Sequence, residues 1–413
     1  MAEAATVSQR ANVIVRGIPG GVSSPRRIAG PVAVALTALL VSACSTVVPR
    51  GPSAPPPTKA PPPSTRPDVG VEAGIPRDTA RNRVALLVPL SGANAGVGKS
   101  LANATQLALL DTKNEQIRVT NYDTAQGAAA AAQRAVADGA QLILGPLLAD
   151  DVRVVAPIAR RAGVPVLSFS NDVSVAGDGV YLMGYTPSQS IERVVDYARS
   201  KGVTNFGGLV PNALYGTRAS TTFLRAVEAA GGRVVALQTY DRTPGAIGAA
   251  VTRMAKDAPF DGVLIADSAG TAATAVPLLR KTSPDMKVMG TELWNTDSGV
   301  AARPALNGAW YASVSNGLYR QYATKYRARF GAAPYRLSSL GYDAVLLTAR
   351  IARDWKVGAP FPEARLRSGE GFSGIDGAFR FGRDGIAERA LEVQEIRSGN
   401  TAVVSPAPAS FGR

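Results

Sequence analysis

The sequence predicts an α/β protein of two lobes, each built on a doubly wound, mostly parallel sheet. Three observations carry this. Short apolar runs alternate with helical patterns from residue 83 to 170, the βαβαβαβ order that gives a parallel sheet with right-handed crossovers. The run Val84-Ala85-Leu86-Leu87-Val88 shows no polar alternation, as expected of a strand covered by helices on both faces. A second alternating series begins after Pro187, and two such series imply two lobes with a cleft between them.

The first strand, 84–88, runs into the turn Pro89-Leu90-Ser91-Gly92 and a loop of small residues. In the helix that follows, Leu101, Ala104, Thr105, Ala108 and Leu109 recur at three- and four-residue spacing, so one face can lie on a sheet. Next come a strand near 117–122, an Ala-rich helix at 127–137 and a strand at 142–144 closed by Gly145-Pro146. A helix at 152–162 ended by Gly163 and a strand at 164–170 complete the series. A short strand around 180–186 meets Pro187, which opens a helix with Ile191, Val194, Val195 and Ala198 on one face. Strands of the second series fall near 206–210, 233–240, 262–266 and 287–289, with helices at 217–230, 246–256 and 271–281. From Gly308 the pattern becomes a strand at 309–312 and helices at about 317–330 and 337–356. Strand-like runs at 377–381, 391–396 and 401–404 close the chain, with Arg383-Asp384-Gly385 as a turn. The expected lobes are 83–186 plus 308–357, and 187–307 plus 370–404.

Ahead of the lobes, residues 1–43 have the order of an export signal. Arg10, Arg16, Arg26 and Arg27 precede an apolar run from 28 to 41, too short for a comfortable membrane span. Leu40-Val41-Ser42-Ala43-Cys44 resembles the bacterial lipobox, in which the Cys is lipidated and becomes the mature N-terminus; Cys44 is the one cysteine of the chain. Ser45 follows rather than the Asp that holds such lipoproteins at the inner membrane, so the outer membrane is expected. Residues 44–82 read as a tether: nine prolines between 49 and 67 favour polyproline II and cannot build a core. Extended at about 3.1 Å per residue, it could reach on the order of 100 Å.

Composition excludes several chemistries. With no histidine and one cysteine, His-based triads, His-ligated zinc and Cys clusters are out, and no paired-carboxylate motif stands out. Neither a catalytic residue, a metal site nor a cofactor is expected. Losing four Arg and one Glu with residues 1–43 takes the formal charge from +14 to +11. That excess is scattered and lacks interleaved aromatics, so nucleic acid is not an expected partner.

In open α/β sheets ligands bind at the carboxyl ends of strands, which puts function in the loop 91–99. Two chemistries compete for it. Ala93-Asn94-Ala95-Gly96-Val97-Gly98-Lys99-Ser100 fits a relaxed phosphate-binding P-loop, with Asp267 as a strand-end Mg²⁺ partner, although Ala93 stands where the strict pattern has Gly. The other is a solute-binding cleft.

Pro89-Leu90-Ser91-Gly92 is one of several motifs in a fixed order. The rest are Gly163-Val164-Pro165-Val166-Leu167-Ser168, Tyr215-Gly216, Met289-Gly290-Thr291-Glu292, Gly341-Tyr342-Asp343-Ala344 and Gly374-Ile375-Asp376-Gly377. Together they resemble the type I periplasmic binding proteins of the leucine-binding-protein group over about 320 residues. The resemblance implies two lobes joined by three crossings that close over a small molecule without chemistry. It also implies that first-lobe hydroxyls hold an α-carboxylate while an aromatic and an acid from the second lobe hold the other end. Carried over, the candidate cleft residues are Ser91, Ser168, Ser170, Asp172, Tyr215 and Glu292. Ala149 stands where a carboxylate-binding Ser is usual, and Asp172 would repel a carboxylate, so weak or no binding of standard amino acids is expected.

The Gly145-Pro146-Leu147-Leu148 loop and the Gly290-Thr291-Glu292-Leu293-Trp294 segment are closer to the penicillin-binding-protein activators, periplasmic lipoproteins that touch a peptidoglycan synthase. The partners implied are therefore a penicillin-binding protein, or an ABC permease if the chain is an import receptor, with a small molecule in the cleft and the membrane held by the lipid. Plainer roles stay open: Tyr215 covering a helix start, Ser91 and Ser168 satisfying turn backbone, Asp172 capping a loop.

Overall fold

The computed structural model describes residues 80–408 and 411. Cys44, the signal 1–43 and the tether as far as residue 79 lie outside the described residues.

The first sheet is built from β1 (Asn82–Val88), β2 (Ile117–Asp123), β3 (Leu142–Leu144), β4 (Val166–Ser168) and β5 (Val180–Leu182) in the order β2-β1-β3-β4-β5. All its pairings are parallel. The unbroken apolar run in β1 has the predicted cause. Val84, Leu86 and Val88 point into one core with α1 (Ala95–Thr112), while Ala85 and Leu87 point into another with α2 (Ala128–Ala137) and α3 (Ala149–Arg161). β1 starts at Asn82, one residue inside the expected tether, because the Asn82 side chain is buried and hydrogen-bonded to Trp355 O and Gly358 N.

The second sheet takes β6 (Asn205–Pro211), β7 (Arg233–Tyr240), β8 (Gly262–Ile265), β9 (Lys287–Gly290) and β10 (Trp310–Ser313) in parallel. The helices α4 (Pro187–Ser200), α5 (Leu214–Ala229), α6 (Ala246–Met254) and α7 (Ala269–Leu279) cover its two faces. After α8 (Gly317–Phe330) and α9 (Ser338–Ala352), which pack in the first-lobe core, come β11 (Phe372–Gly374), β12 (Gly377–Phe381) and β13 (Ala387–Arg389). These three form a small antiparallel sheet of their own. β14 (Glu392–Arg397) and β15 (Asn400–Ser405) then add antiparallel to β10 and complete a seven-stranded sheet, β15-β14-β10-β9-β8-β6-β7.

Two expected boundaries are corrected. β10 does not open the return to the first lobe: it pairs with β9 and β14, and Trp310 and Ala312 join the second-lobe core. Residues 372–389 do not belong with the second lobe either. Phe372, Phe379 and Phe381 bury against Tyr181 and α9 in the first-lobe core. The chain therefore passes between the lobes three times, at 183–187, 314–317 and 389–392.

The same close approach recurs in both lobes. A Cβ at Gly98 would lie 1.8 Å from the Pro89 carbonyl oxygen, and one at Gly216 would lie 1.8 Å from the Pro211 carbonyl oxygen. Each glycine lets the helix after its lobe's first strand sit hard against that strand's end. This seats α5, with Tyr215 and Arg218, at the mouth of the cleft.

Candidate functional site

Residues 93–100 do not form a phosphate cradle. Helix α1 begins at Ala95 and takes in Gly96, Gly98 and Lys99, and the exposed Lys99 stands on that helix. Asp267 is already held by Tyr240 (2.6 Å), Arg242 (2.9 Å) and the Ser268 amide. Neither half of a nucleotide site is in place.

The loops after β3 and β4 face the starts of α4 and α5 across a cleft of about 260 Å³, walled in part by Ala149, Ser170, Asp172, Tyr215 and Arg218. Ser91 and Ser168 spend their protons on protein acceptors, while among the described residues Ser170 only accepts. Ser91 donates to Asp123 at 2.7 Å, beside the Leu90 amide. Ser168 donates to the Pro146 carbonyl and accepts from the Ser170 amide, each at 3.0 Å, and Ser170 accepts from the Asp172 amide at 3.1 Å. Ser91 does not line this cleft, and Ser168 lies behind Ser170.

Asp172 reaches out of this chain of turns. Its carboxylate pairs with Arg218 of α5 at 2.6 Å, joining the two lobes, and with Arg153 of α3 at 3.0 Å. The Asp172 side chain is 6% exposed and that of Arg218 28%. Burial pushes the Asp172 carboxyl up, but hydrogen bonds from Ser174 and the Arg218 guanidinium outweigh it and hold it below the usual carboxylate range.

In the second lobe, Trp294 folds back over β9, where a Cβ at Gly290 would meet its ring at 2.2 Å, and its Nε1 donates to the Asp267 carbonyl at 3.0 Å. That reversal turns Glu292 inward. Tyr215 donates to Glu292 Oε1 at 3.0 Å and lies 2.8 Å from the Thr291 hydroxyl. Glu292 Oε2 has no partner among the described residues. Burial pushes the Glu292 carboxyl up to about 7, and burial beside that carboxyl pushes the Tyr215 phenol up as well.

Glu292 also borders a smaller cavity where the three crossings meet, and its most polar walls escaped the sequence reading. Arg336 donates Nη1 to Asp376 (2.8 Å), Ser339 (2.9 Å) and Tyr185 (3.3 Å), and Tyr185 donates in turn to Asp376. Asp343, raised by its burial and by Asp376 beside it, accepts from the Ile375 amide at 2.7 Å. A Cβ at Gly374 would lie 2.2 Å from that carboxyl, which is why Gly374-Ile375-Asp376-Gly377 carries its first glycine. Arg389 donates to the Met183 carbonyl at 2.5 Å and completes the wall. The motif containing Asp376 was visible in the sequence; isolated arginines far apart in the chain carry no local pattern.

The family described as periplasmic binding protein matches residues 82–401. Among curated proteins, an uncharacterized protein of Rickettsia prowazekii, RP748, is 26% identical over 177 residues. That match covers 42% of this chain and 47% of the relative, so it spans about half of the relative's length. The fold is shared with a candidate branched-chain amino acid ABC transporter protein of Rhodospirillum rubrum at TM-score 0.70 and 19% identity, covering 78% of this chain and all of the other. Leucine binding protein LivK of Thermotoga maritima gives TM-score 0.61 at 18% identity over 79% of this chain and 99% of that one. Haemophilus influenzae LpoA gives TM-score 0.61 at 20% identity, over 79% of this chain and 59% of LpoA. At these identities the structural likeness speaks for the fold alone.

Proposed function

Since the chain belongs to the periplasmic binding protein family, we propose that it works there as a non-enzymatic lipoprotein, anchored through Cys44 and engaging a protein partner rather than delivering amino acids. The partner class is a penicillin-binding protein, whose peptidoglycan synthesis it would activate. One observation carries this reading: Asp172, near where the resemblance puts a ligand carboxylate, sets the chain's own carboxylate against Arg218 at 2.6 Å. Ser168, which would receive a ligand carboxylate, spends its proton on the Pro146 carbonyl, and Ala149 offers no side-chain donor. Losing one charge-assisted hydrogen bond costs about 1.5–3 kcal/mol, roughly ten- to a hundred-fold in affinity, before repulsion from Asp172 is counted. The activator role follows the Gly145-Pro146-Leu147-Leu148 and Gly290-Thr291-Glu292-Leu293-Trp294 segments, and the outer membrane follows Ser45 after the lipobox.

The test is a calorimetric titration with leucine and other amino acids beside a pull-down with purified penicillin-binding proteins. Capture of a synthase without micromolar amino-acid binding supports the reading. Micromolar leucine binding that disappears in Glu292→Ala would make the chain a receptor for an ABC permease instead.

A further inference from the structure

Two guanidinium groups are buried at the crossings with donors left over. Arg336 is 8% exposed and Arg389 is 7% exposed. Arg336 spends only Nη1 on Asp376, Ser339 and Tyr185, and its Nε and Nη2 have no partner among the described residues. Arg389 gives Nη2 to the Met183 carbonyl; among the described residues its Nε and Nη1 have no partner and no carboxylate forms an ion pair with it. Tyr319 stacks on Arg336 at 4.0 Å, and Tyr185 and Phe379 flank Arg389 at 5.1 and 5.2 Å, so both groups are held in position. Folded chains rarely bury charged donors unpaired, because each such donor has lost water without return.

Both arginines line a small cavity of about 20 Å³, together with Glu292, whose Oε2 is likewise unpartnered among the described residues. That volume admits one small group. Asn295, Thr296 and Arg336 are shared with an open groove of about 540 Å³, which gives a larger molecule room for its body.

We infer that this cavity is a binding site for a small hydroxy acid, its carboxylate taken by Nε and Nη2 of Arg336 and by one free N–H of Arg389, and its hydroxyl by Glu292 Oε2. Nε and Nη2 form the side of a guanidinium that a carboxylate engages with two parallel hydrogen bonds. A hydroxyl suits Glu292 better than an ammonium group does. It donates to an ionised carboxyl and accepts from a protonated one, and it is not repelled by two adjacent cations. The inference does not rest on the partner-binding reading, since a chain that activates a synthase and a chain that feeds a permease would hold the acid with the same groups.

The test is thermal unfolding and calorimetric titration of the purified chain with glycolate, lactate and glycerate, against acetate and chloride at matched ionic strength. A saturable rise in Tm with the hydroxy acids, above both controls and weakened at least tenfold in Arg389→Gln, is the expected result. Arg389→Lys, which keeps the charge but loses the planar guanidinium, should weaken binding in the same direction and serves if the Gln variant fails to fold. A crystal grown with the best-binding acid should show it between Arg336 and Arg389. The inference is overturned if no hydroxy acid exceeds chloride, if affinity is unchanged in the variants, or if the acid lies elsewhere in the crystal.

Discussion

Glu292 gives the cleft a measurable pH response. Its carboxyl ionises near 7 in the folded chain, against about 4.5 without the fold. Between those values the folded state holds a proton that the unfolded state has lost, so stability falls as pH rises from 4.5 to 7 and levels off above. The component is up to about 3 kcal/mol. No histidine titrates in this window. Asp343, pushed up by burial and by Asp376, contributes with the same sign, so the Glu292 part is read as a difference between variant and wild type. Urea unfolding between pH 4.5 and 8 should show a slope that becomes shallower in Glu292→Gln; equal slopes would mean that Glu292 ionises normally. At this scale the sequence showed only part of the cleft. It marked Asp172 as hostile to a carboxylate, yet the cation that Asp172 meets was missed, although Arg218 lies three residues beyond Tyr215 and so on the same helix face. Arg336 and Arg389 gave no such cue, because their meeting depends on two separate crossings.

At the level of elements, the glycine at each strand end is the point of least tolerance. Alanine at Gly98 gains about 1 kcal/mol of helix propensity. It also places a methyl 1.8 Å from a backbone carbonyl that cannot rotate away. The clash prevails, and Gly98→Ala is expected to cost about 1–3 kcal/mol net, a drop of several degrees in Tm. An unchanged Tm by scanning calorimetry would show that α1 can shift at no cost. The parallel elements were the easiest to read, since buried strands and amphipathic helices each carry their own period. β11–β13 were harder. Their phenylalanines mark them as core, but periodicity does not say which of two cores receives them, and Tyr181 with α9 decides it.

On the scale of the whole molecule, the Asp172–Arg218 pair is a latch between the lobes. Removing Arg218 leaves Asp172 with Arg153 and Ser174, so Arg218→Ala should cost only about 1–2 kcal/mol while releasing the mouth of the cleft. Small-angle scattering should report a larger radius of gyration for the variant. In 1 M salt, where the Debye length is about 3 Å, the wild-type chain should move the same way to a smaller extent. Identical scattering curves would show that the crossings alone set the angle between lobes. The two-lobed architecture was readable because both lobes repeat one βα order, whereas the lobe boundaries depend on which sheet edge accepts β10 and β14. The latch also sets a threshold for competitors. Asp172 is delivered to Arg218 by the chain itself, at an effective concentration that for tethered groups is on the order of millimolar or more. A dissolved monoacid must approach that level to displace it. A protein segment presenting an acid along with a broad contact surface is not held to that limit, because its other contacts raise its own local concentration at the mouth.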